Sequence, residues 1–191
     1  MISTSTLLEA YRTGHFPMVV AGQIKWFSPD PRGILPLNRF HPSTRTRRVL
    51  RQGRFEIAVN RVFRDVIIAC ASRPDPVGNW IDGEMIKSYI SLHEVGFAHS
   101  VEAWLDGVLV GGLYGVSLRG AFFGESMFHT ATNASKVALC ALVDRLRERR
   151  YLLLDIQWRT AHLDRFGAID VPRCEYLARL NEAMKVDCTF E

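Results

Sequence analysis

Long apolar runs are missing from this chain. No stretch reaches the roughly 20 apolar residues that a membrane-crossing helix needs, and Met1–Thr6 lacks the basic-then-apolar order of a secretory signal. These two absences predict a cytoplasmic protein with no membrane partner. The 191 residues, 48% of them hydrophobic, are enough to bury a full core, which argues against a disordered chain.

Cysteine is scarce and scattered. The four cysteines, Cys70, Cys140, Cys174 and Cys188, form no Cys-x-x-Cys pair and no tight group with histidine. This spacing indicates neither a zinc site nor a disulfide framework. We therefore expect buried, reduced thiols, no metal ion and no cofactor. The six histidines likewise show no Ser-His-Asp or Cys-His arrangement.

A glycine-rich phosphate loop is also absent. Met127–Asn133, which leads into a predicted helix, contains no glycine, although a loop that binds the pyrophosphate of acyl-CoA is expected to have one there. Gly111, Gly112 and Gly115 lie inside a predicted strand, where close packing is the better interpretation. An acyl-CoA-dependent N-acyltransferase is therefore an alternative that this sequence supports less well.

A carboxylate and an amide interrupt the apolar run from Tyr151 to Gln157. Asp155 and Gln157 stand two residues apart in a predicted strand, so they share one face. A carboxylate among leucines is costly unless a partner, a substrate or solvent compensates it. We interpret the pair as a catalytic site, the alternative being a structural role at the strand end. Glu125, at the end of the segment Phe-Phe-Gly-Glu over 122–125, is a second candidate, unless it caps the adjoining turn.

The order of elements predicts an α+β fold. Helices are expected at about 6–13 with a capping box at Thr6, at Thr44–Gln52 after Ser43, after caps at Asn60 and Asp82, from Ala134 to about Arg149, and over 160–166 and 173–184. An antiparallel meander of three strands occupies 99–125, with turns at 106–107 and 120. This order resembles the GNAT (Gcn5-related N-acetyltransferase) body, an antiparallel or mixed sheet flanked by helices. We place a small N-terminal domain at 1–31 and the GNAT-like domain at 32–191.

Positive charge is concentrated on the second predicted helix. Arg45, Arg48 and Arg51 recur on one helix face beside Arg47, and the net charge is +4. Such a stripe suits phosphates, which it would contact without reading their sequence. Trp26 and Trp80 could stack on bases. A solvated helix face and a non-catalytic RNA-binding module are the alternatives, but the second leaves Asp155, Gln157 and Glu125 unexplained.

Several ordered blocks of this sequence are similar to the leucyl/phenylalanyl-tRNA–protein transferase family. They are 10–17 (AYRTGHFP), 26–32 (WFSPDPR), 96–102 (GFAHSVE), 110–115 (VGGLYG), 123–128 (FGESMF), 133–136 (NASK), 155–157 (DIQ) and 167–173 (GAIDVPR). The resemblance implies transfer of Leu, Phe or Met from aminoacyl-tRNA to the α-amine of proteins that begin with Arg or Lys. Such tagging leads to degradation and requires no ATP, metal or cofactor. We also expect a monomer.

The catalytic roles follow from this resemblance and from the residue chemistry. Gln157 would accept a hydrogen bond from the attacking amine while Asp155 polarises and orients it, the final proton passing through water or a ribose hydroxyl. Glu125 would hold either the donor's α-ammonium or the cationic side chain of the acceptor. The expected pocket, which favours side chains unbranched at Cβ, consists of Leu113, Phe122, Ser126, Met127, Leu139, Leu142 and Leu154.

The chain departs from the family at Met18. The family often has a tryptophan after the Phe-Pro of its first block, and this chain has Met18 there. In the family that tryptophan and the one matching Trp80 enclose the terminal adenine of the tRNA. We therefore expect Trp80 and Met18 to form the adenine site here, with one thioether wall in place of an indole.

Overall fold

Helices and strands are interspersed along the chain in the computed structural model, which describes residues 1–73 and 80–191. The helices in this part are α1 (Thr4–Arg12), α2 (Thr44–Gln52), α3 (Phe63–Ala71), α4 (Gly83–Glu94), α5 (Ala134–Glu148), α6 (Ala161–Asp164) and α7 (Arg173–Met184). The strands are β1 (Phe16–Val20), β2 (Gln23–Phe27), β3 (Arg32–Ile34), β4 (Glu56–Val59), β5 (Ala98–Leu105), β6 (Val108–Leu118), β7 (Ala121–His129), β8 (Leu153–Gln157) and β9 (Ile169–Val171). A 3₁₀ turn occupies Leu37–Arg39.

One mixed sheet organises the molecule. Its strand order is β4-β5-β6-β7-β8-β3-β9, and β1 and β2 form a separate antiparallel hairpin. Neighbours in the large sheet run antiparallel except β7 and β8, which are parallel because α5 connects them. The predicted α+β class and the predicted meander are therefore confirmed. None of the helices in the described part of the chain is long and apolar enough to cross a membrane.

The sheet has a hydrophobic cluster on each face. Tyr114 belongs to a cluster with residues of α1, α3, α4 and α7, whereas its neighbour Leu113 belongs to a cluster with residues of α5. This division follows from the period of a strand, which sends adjacent side chains to opposite faces. Of the cysteines, Cys70 and Cys140 are buried as expected, but Cys188 is half-buried and Cys174 is exposed.

Two predicted helix caps are wrong. Ser3, not Thr6, caps α1, because the Ser3 hydroxyl accepts a hydrogen bond from the Thr6 amide. Asn60 does not cap α3, since its side-chain oxygen accepts from the Ser100 amide of β5 instead. The caps at Ser43 and Asp82 are confirmed, and each accepts a backbone amide three residues on.

The parallel strands β7 and β8 separate partway along their length. Their pairing runs from Ala121 and Leu153 to Phe123 and Asp155 and stops there, although β7 continues to His129. Against β6, β7 also has a bulge, since Tyr114 faces Ser126 and Gly115 faces Gly124, which leaves Glu125 as the extra residue. Glycine is required at position 115, because a Cβ there would lie 2.3 Å from the Phe123 carbonyl oxygen.

Candidate active site

A cavity of about 420 Å³ opens where β7 and β8 separate, and we call it the splay cavity. Its apolar lining is Leu113, Met127, Leu139, Leu142, Leu154, Ile156 and Leu163. Its other lining residues are Arg73, Trp80, Tyr114, Gly124, Glu125, Ser126, His129, Ser135, Gln157, Trp158, Thr160 and His162. Because Leu113 and Tyr114 point to opposite faces of the sheet, the cavity joins a leucine-rich half beside α5 to a polar half on the other face.

The Asp155 carboxylate is fully buried and ion-paired to Arg32. Arg32 Nε and Nη2 donate to its two oxygens at 2.9 and 2.6 Å. The Tyr176 hydroxyl donates at 2.8 Å, and the Gln157 backbone amide donates at 2.9 Å. Asp155 is not among the residues that line the splay cavity. A counter-ion and these hydrogen-bond donors, rather than a substrate, compensate the carboxylate that the sequence singled out.

Arg32 is a site residue that the sequence analysis does not predict. It is completely buried, donates to the Gly14 carbonyl at 3.0 Å, and lies over the rings of Phe16 and Tyr176 at 4.8 and 4.4 Å. Burial alone would lower the pKa of Arg32, but Asp155 outweighs it and the net direction is upward. The sequence places Arg32 only after a proline turn, and no local pattern connects it to Asp155.

Glu125 has no counter-ion among the residues that the structure describes. The hydroxyls of Tyr11 and Tyr89 donate to its two oxygens at 2.8 and 3.2 Å, and the two hydroxyls lie 2.5 Å apart. Gln157 Nε2 donates to Glu125 Oε1 at 3.3 Å. Burial raises the pKa of Glu125 to about 7, even though the tyrosine hydrogen bonds oppose this shift. Glu125 lines the splay cavity, and at neutral pH it is therefore close to its pKa.

Gln157 connects the two carboxylates through different groups. Its backbone amide binds Asp155, whereas its side-chain amide binds Glu125. The backbone of Gln157 is left-handed, at φ 57°, an uncommon conformation for a residue other than glycine. The structure thus brings Asp155 and Gln157 together, but the contact of Asp155 is with the backbone of Gln157 and not with its side-chain amide.

The predicted aminoacyl pocket is largely assembled, with one exception. Leu113, Ser126, Met127, Leu139, Leu142 and Leu154 all line the splay cavity. Phe122 does not, because its ring is fully buried on the α5 face, where it stacks on Phe190 with centroids 5.1 Å apart.

The predicted adenine site is only half assembled. Trp80 lines the splay cavity, but Met18 does not; it is half-buried against the core cluster. Trp158, which the sequence interpretation missed, lines the cavity instead and is 42% exposed. Its indole meets the rings of Phe16 and Phe27 edge-on at 5.1 and 6.1 Å. The cavity therefore has two indoles in its wall, at positions 80 and 158.

The basic stripe lies on the surface of α2. Arg45, Arg47, Arg48 and Arg51 are all exposed. Within the described ranges, none of the four pairs with a carboxylate. Their charges are therefore available to a polyanionic partner.

Comparison with known proteins identifies related sequences over the whole chain. The model of the leucyl/phenylalanyl-tRNA protein transferase family matches residues 34–181, and the model of that family's N-terminal domain matches residues 1–30. Proteins named leucyl/phenylalanyl-tRNA–protein transferase from Gloeobacter violaceus and Herpetosiphon aurantiacus are 51% and 50% identical to this chain. These alignments cover 99% of this chain in both cases, and 97% and 98% of the two relatives.

Solved structures resemble the fold at low sequence identity. A conserved protein of unknown function from Staphylococcus epidermidis has a TM-score of 0.50 and 10% identity, over 90% of this chain and 65% of that one. A ribosomal-protein-alanine N-acetyltransferase from Brucella melitensis has a TM-score of 0.40 and 18% identity, over 58% and 84%.

Proposed function

The chain belongs to the leucyl/phenylalanyl-tRNA–protein transferase family, and we propose that it moves Leu, Phe or Met from aminoacyl-tRNA to proteins that begin with Arg or Lys. It is an aminoacyltransferase. The observation that best supports the choice of substrate is the splay cavity, in which a leucine-rich half adjoins a carboxylate that has no counter-ion among the described residues. We further propose that it acts in the cytoplasm, as a monomer, to tag proteins for degradation.

The proposed reaction makes one bond and breaks one. The neutral α-amine of the acceptor forms a C–N bond with the ester carbonyl carbon of the donor, and the bond from that carbon to the ribose oxygen breaks. The amine proton ends on the ribose oxygen. An α-amine has a pKa near 7.7–8.0, so an appreciable fraction is neutral at pH 7. Because the ester is already activated, holding the two substrates together contributes most, with effective molarities worth roughly 7–11 kcal/mol.

The leucine-rich half of the splay cavity receives the donor side chain in this proposal. Leu113, Leu139, Leu142, Leu154 and Met127 supply a lining of flexible apolar groups. Such a lining suits Leu, Phe and Met, whereas branching at Cβ in Ile and Val collides with the wall. Discrimination by shape alone is worth about 1–3 kcal/mol, so we expect selectivity that is measurable but incomplete.

The polar half of the splay cavity receives the α-amine of the donor and the α-amine of the acceptor in this proposal. Glu125 holds the donor's α-ammonium, because it is a carboxylate in the cavity wall that has no cationic partner among the described residues. With Nε2 of Gln157 donating to Glu125, the side-chain oxygen of Gln157 remains to accept a hydrogen bond from the attacking amine. Asp155 acts indirectly, since it holds the Gln157 backbone in its left-handed conformation.

The tRNA end is recognised by stacking and charge. Trp80 and Trp158 offer indole faces to the terminal base, in place of the Trp80 and Met18 pair expected from sequence. Stacking on an aromatic side chain is worth about 1–3 kcal/mol per base. Arg45, Arg47, Arg48 and Arg51 contact acceptor-stem phosphates without reading sequence.

Transfer of a labelled group tests this proposal directly. Purified protein is incubated with labelled Leu-tRNA or labelled acetyl-CoA, together with peptides that differ only in beginning with Arg, Lys or Glu. We expect label from Leu-tRNA on the Arg and Lys peptides alone. Label from acetyl-CoA would favour the N-acyltransferase alternative. Binding of tRNA with no transfer would favour the RNA-binding module.

A further inference from the structure

The hydroxyl of Tyr114 has no hydrogen-bond partner among the described residues, although Tyr114 is completely buried and lines the splay cavity. A buried hydroxyl without a partner costs about 1–3 kcal/mol. Phenylalanine at this position would fill nearly the same space without that cost. An unpaired polar atom on a residue that lines a cavity indicates a ligand group that completes its hydrogen bond.

The Tyr114 ring is held firmly in place. It meets the rings of Tyr89 and Phe63 nearly perpendicular, with centroids 5.5 and 5.9 Å apart. Its position is also fixed in β6, where it lies opposite Ser126 of β7 and Ser100 of β5. The ring and its hydroxyl are thus held rigidly in a residue that lines the splay cavity.

We propose that the Tyr114 hydroxyl accepts a hydrogen bond from the α-ammonium of the aminoacyl donor, beside Glu125. This inference rests on the proposed function and names one more contact of the same site. Leu113 and Tyr114 are adjacent in β6, with Cα atoms about 3.8 Å apart, and they line opposite halves of the cavity. A donor whose side chain contacts Leu113 therefore has its Cα at the level of the sheet, from which the α-ammonium reaches toward Tyr114.

The electrostatics of the position favour a cation over the ester carbonyl oxygen. Burial raises the pKa of Tyr114 well above its ordinary value, and Tyr89, Glu125 and Cys70 raise it further. The hydroxyl therefore stays protonated. Because Tyr89 and Cys70 are themselves neutral at pH 7, the negative potential near it comes from the ionised Glu125 carboxylate. Negative potential stabilises an ammonium group and opposes the charge that develops on a carbonyl oxygen during acyl transfer.

The test uses the variant Tyr114→Phe and two donors that differ by one amine. The donors are phenylalanyl-adenosine and 3-phenylpropanoyl-adenosine, which lacks only the α-amine, and the acceptor is an Arg-initiated peptide. A hydrogen bond to a charged group is worth about 1.5–3 kcal/mol. We therefore expect Tyr114→Phe to raise KM for phenylalanyl-adenosine by about tenfold to a hundredfold. We expect no change in KM for the donor without the amine.

Thermal unfolding without substrate distinguishes this role from a structural one. Tyr114→Phe removes a hydroxyl that has no partner among the described residues, so its Tm should equal or exceed that of the wild type. Tyr151→Phe is the matched control, because its hydroxyl lies 2.6 Å from Ser117 Oγ and the residue does not line the splay cavity. We expect the control to lower Tm and to leave both KM values unchanged.

Three results would overturn the inference while the proposed function stands. They are an unchanged KM for phenylalanyl-adenosine in Tyr114→Phe, an equal loss with both donors, and a fall in Tm that matches the Tyr151→Phe control. A wild-type protein that transfers neither donor and also fails with Leu-tRNA would instead overturn the proposed function, and this inference with it.

Discussion

Asp155 and Glu125 are carboxylates of neighbouring strands that differ in what neutralises them. Asp155 is fully buried and has a guanidinium at 2.6–2.9 Å, a tyrosine hydroxyl and a backbone amide. Glu125 is half-buried in the wall of the splay cavity and has two tyrosine hydroxyls and one amide, with no cation among the described residues. Asp155 is absent from the lining of that cavity.

Burial of a carboxylate serves two purposes in this protein, one structural and one in the proposed contact with substrate. A buried charge with its counter-ion holds chain segments together, and here Arg32 and Asp155 join β3 to β8. A carboxylate that is withdrawn from water without a counter-ion has a raised pKa and favours the arrival of a cation. We therefore propose that Asp155 supports the site and that Glu125 contacts substrate.

Breaking the Asp155 pair should have the largest effect on stability. Asp155→Ala leaves the Arg32 guanidinium buried and unpaired, which should cost about 3–5 kcal/mol in the free energy of unfolding. Denaturant titration measures this loss. The double variant Arg32→Met/Asp155→Leu should lose less than the sum of its single variants. Additive losses would show that the two side chains do not stabilise each other.

Replacing Glu125 should change stability in a pH-dependent way. The folded-state pKa is raised from 4.5 to about 7. The stabilising contribution of the protonated group is therefore fully present below pH 4.5 and is lost as pH rises through about 7. Relative to the wild type, Glu125→Gln should gain about 3 kcal/mol between roughly pH 4 and pH 8, because each pKa unit is worth about 1.4 kcal/mol. A difference that stays constant over this range would contradict the raised pKa.

The two indoles of the cavity wall, Trp80 and Trp158, should each contribute to binding of the terminal adenine. Trp158→Ala and Trp80→Ala should each weaken binding of an aminoacyl-adenosine analogue by about 1–3 kcal/mol, because each variant lacks one stacking face. Met18→Ala is the control and should bind nearly as the wild type, since Met18 does not line the splay cavity. Titration of the analogue against the three variants measures this. A larger loss for Met18→Ala than for Trp158→Ala would restore the adenine site expected from sequence.

Charge reversal on α2 should have the smallest effect on the reaction itself. Arg45→Glu/Arg48→Glu should weaken the binding of all aminoacyl-tRNAs to the same extent. The slope of log Kd against log salt concentration should fall by about 0.9 for each phosphate that the protein no longer neutralises. Transfer from aminoacyl-adenosine should not change. Arg61→Glu/Arg64→Glu provides the same charge change elsewhere, at one exposed arginine that precedes α3 and pairs with Glu56 and at another in the first turn of α3. Equal effects of the two double variants would mean that α2 has no specific role.

The sequence predicts most of the locally determined structure correctly, the cap of α1 at Ser3 being an exception. The strand period of the segment around Asp155, the turn at Asp106-Gly107 and the cap at Asp82 each depend on a few consecutive residues, and each is present. It failed where partners are distant. Arg32 meets Asp155 across 123 positions, and Tyr11 meets Glu125 across 114. A three-residue strand such as β3 is too short for its sequence pattern to be recognised. Only the assembled sheet, in which β3 pairs with β8, brings the Arg32 side chain to Asp155.

The transfer rate of Glu125→Gln, measured beside its stability, tests the central assignment most directly. The assay uses labelled Leu-tRNA and an Arg-initiated peptide at about pH 8. At this pH a carboxyl group with a pKa near 7 is ionised. Denaturant titration of the same preparation reports folding. We expect a variant that is at least as stable as the wild type and yet transfers leucine far more slowly, because the donor's ammonium has no counter-ion. Transfer at the wild-type rate by the stable variant would contradict the assignment of Glu125 to substrate.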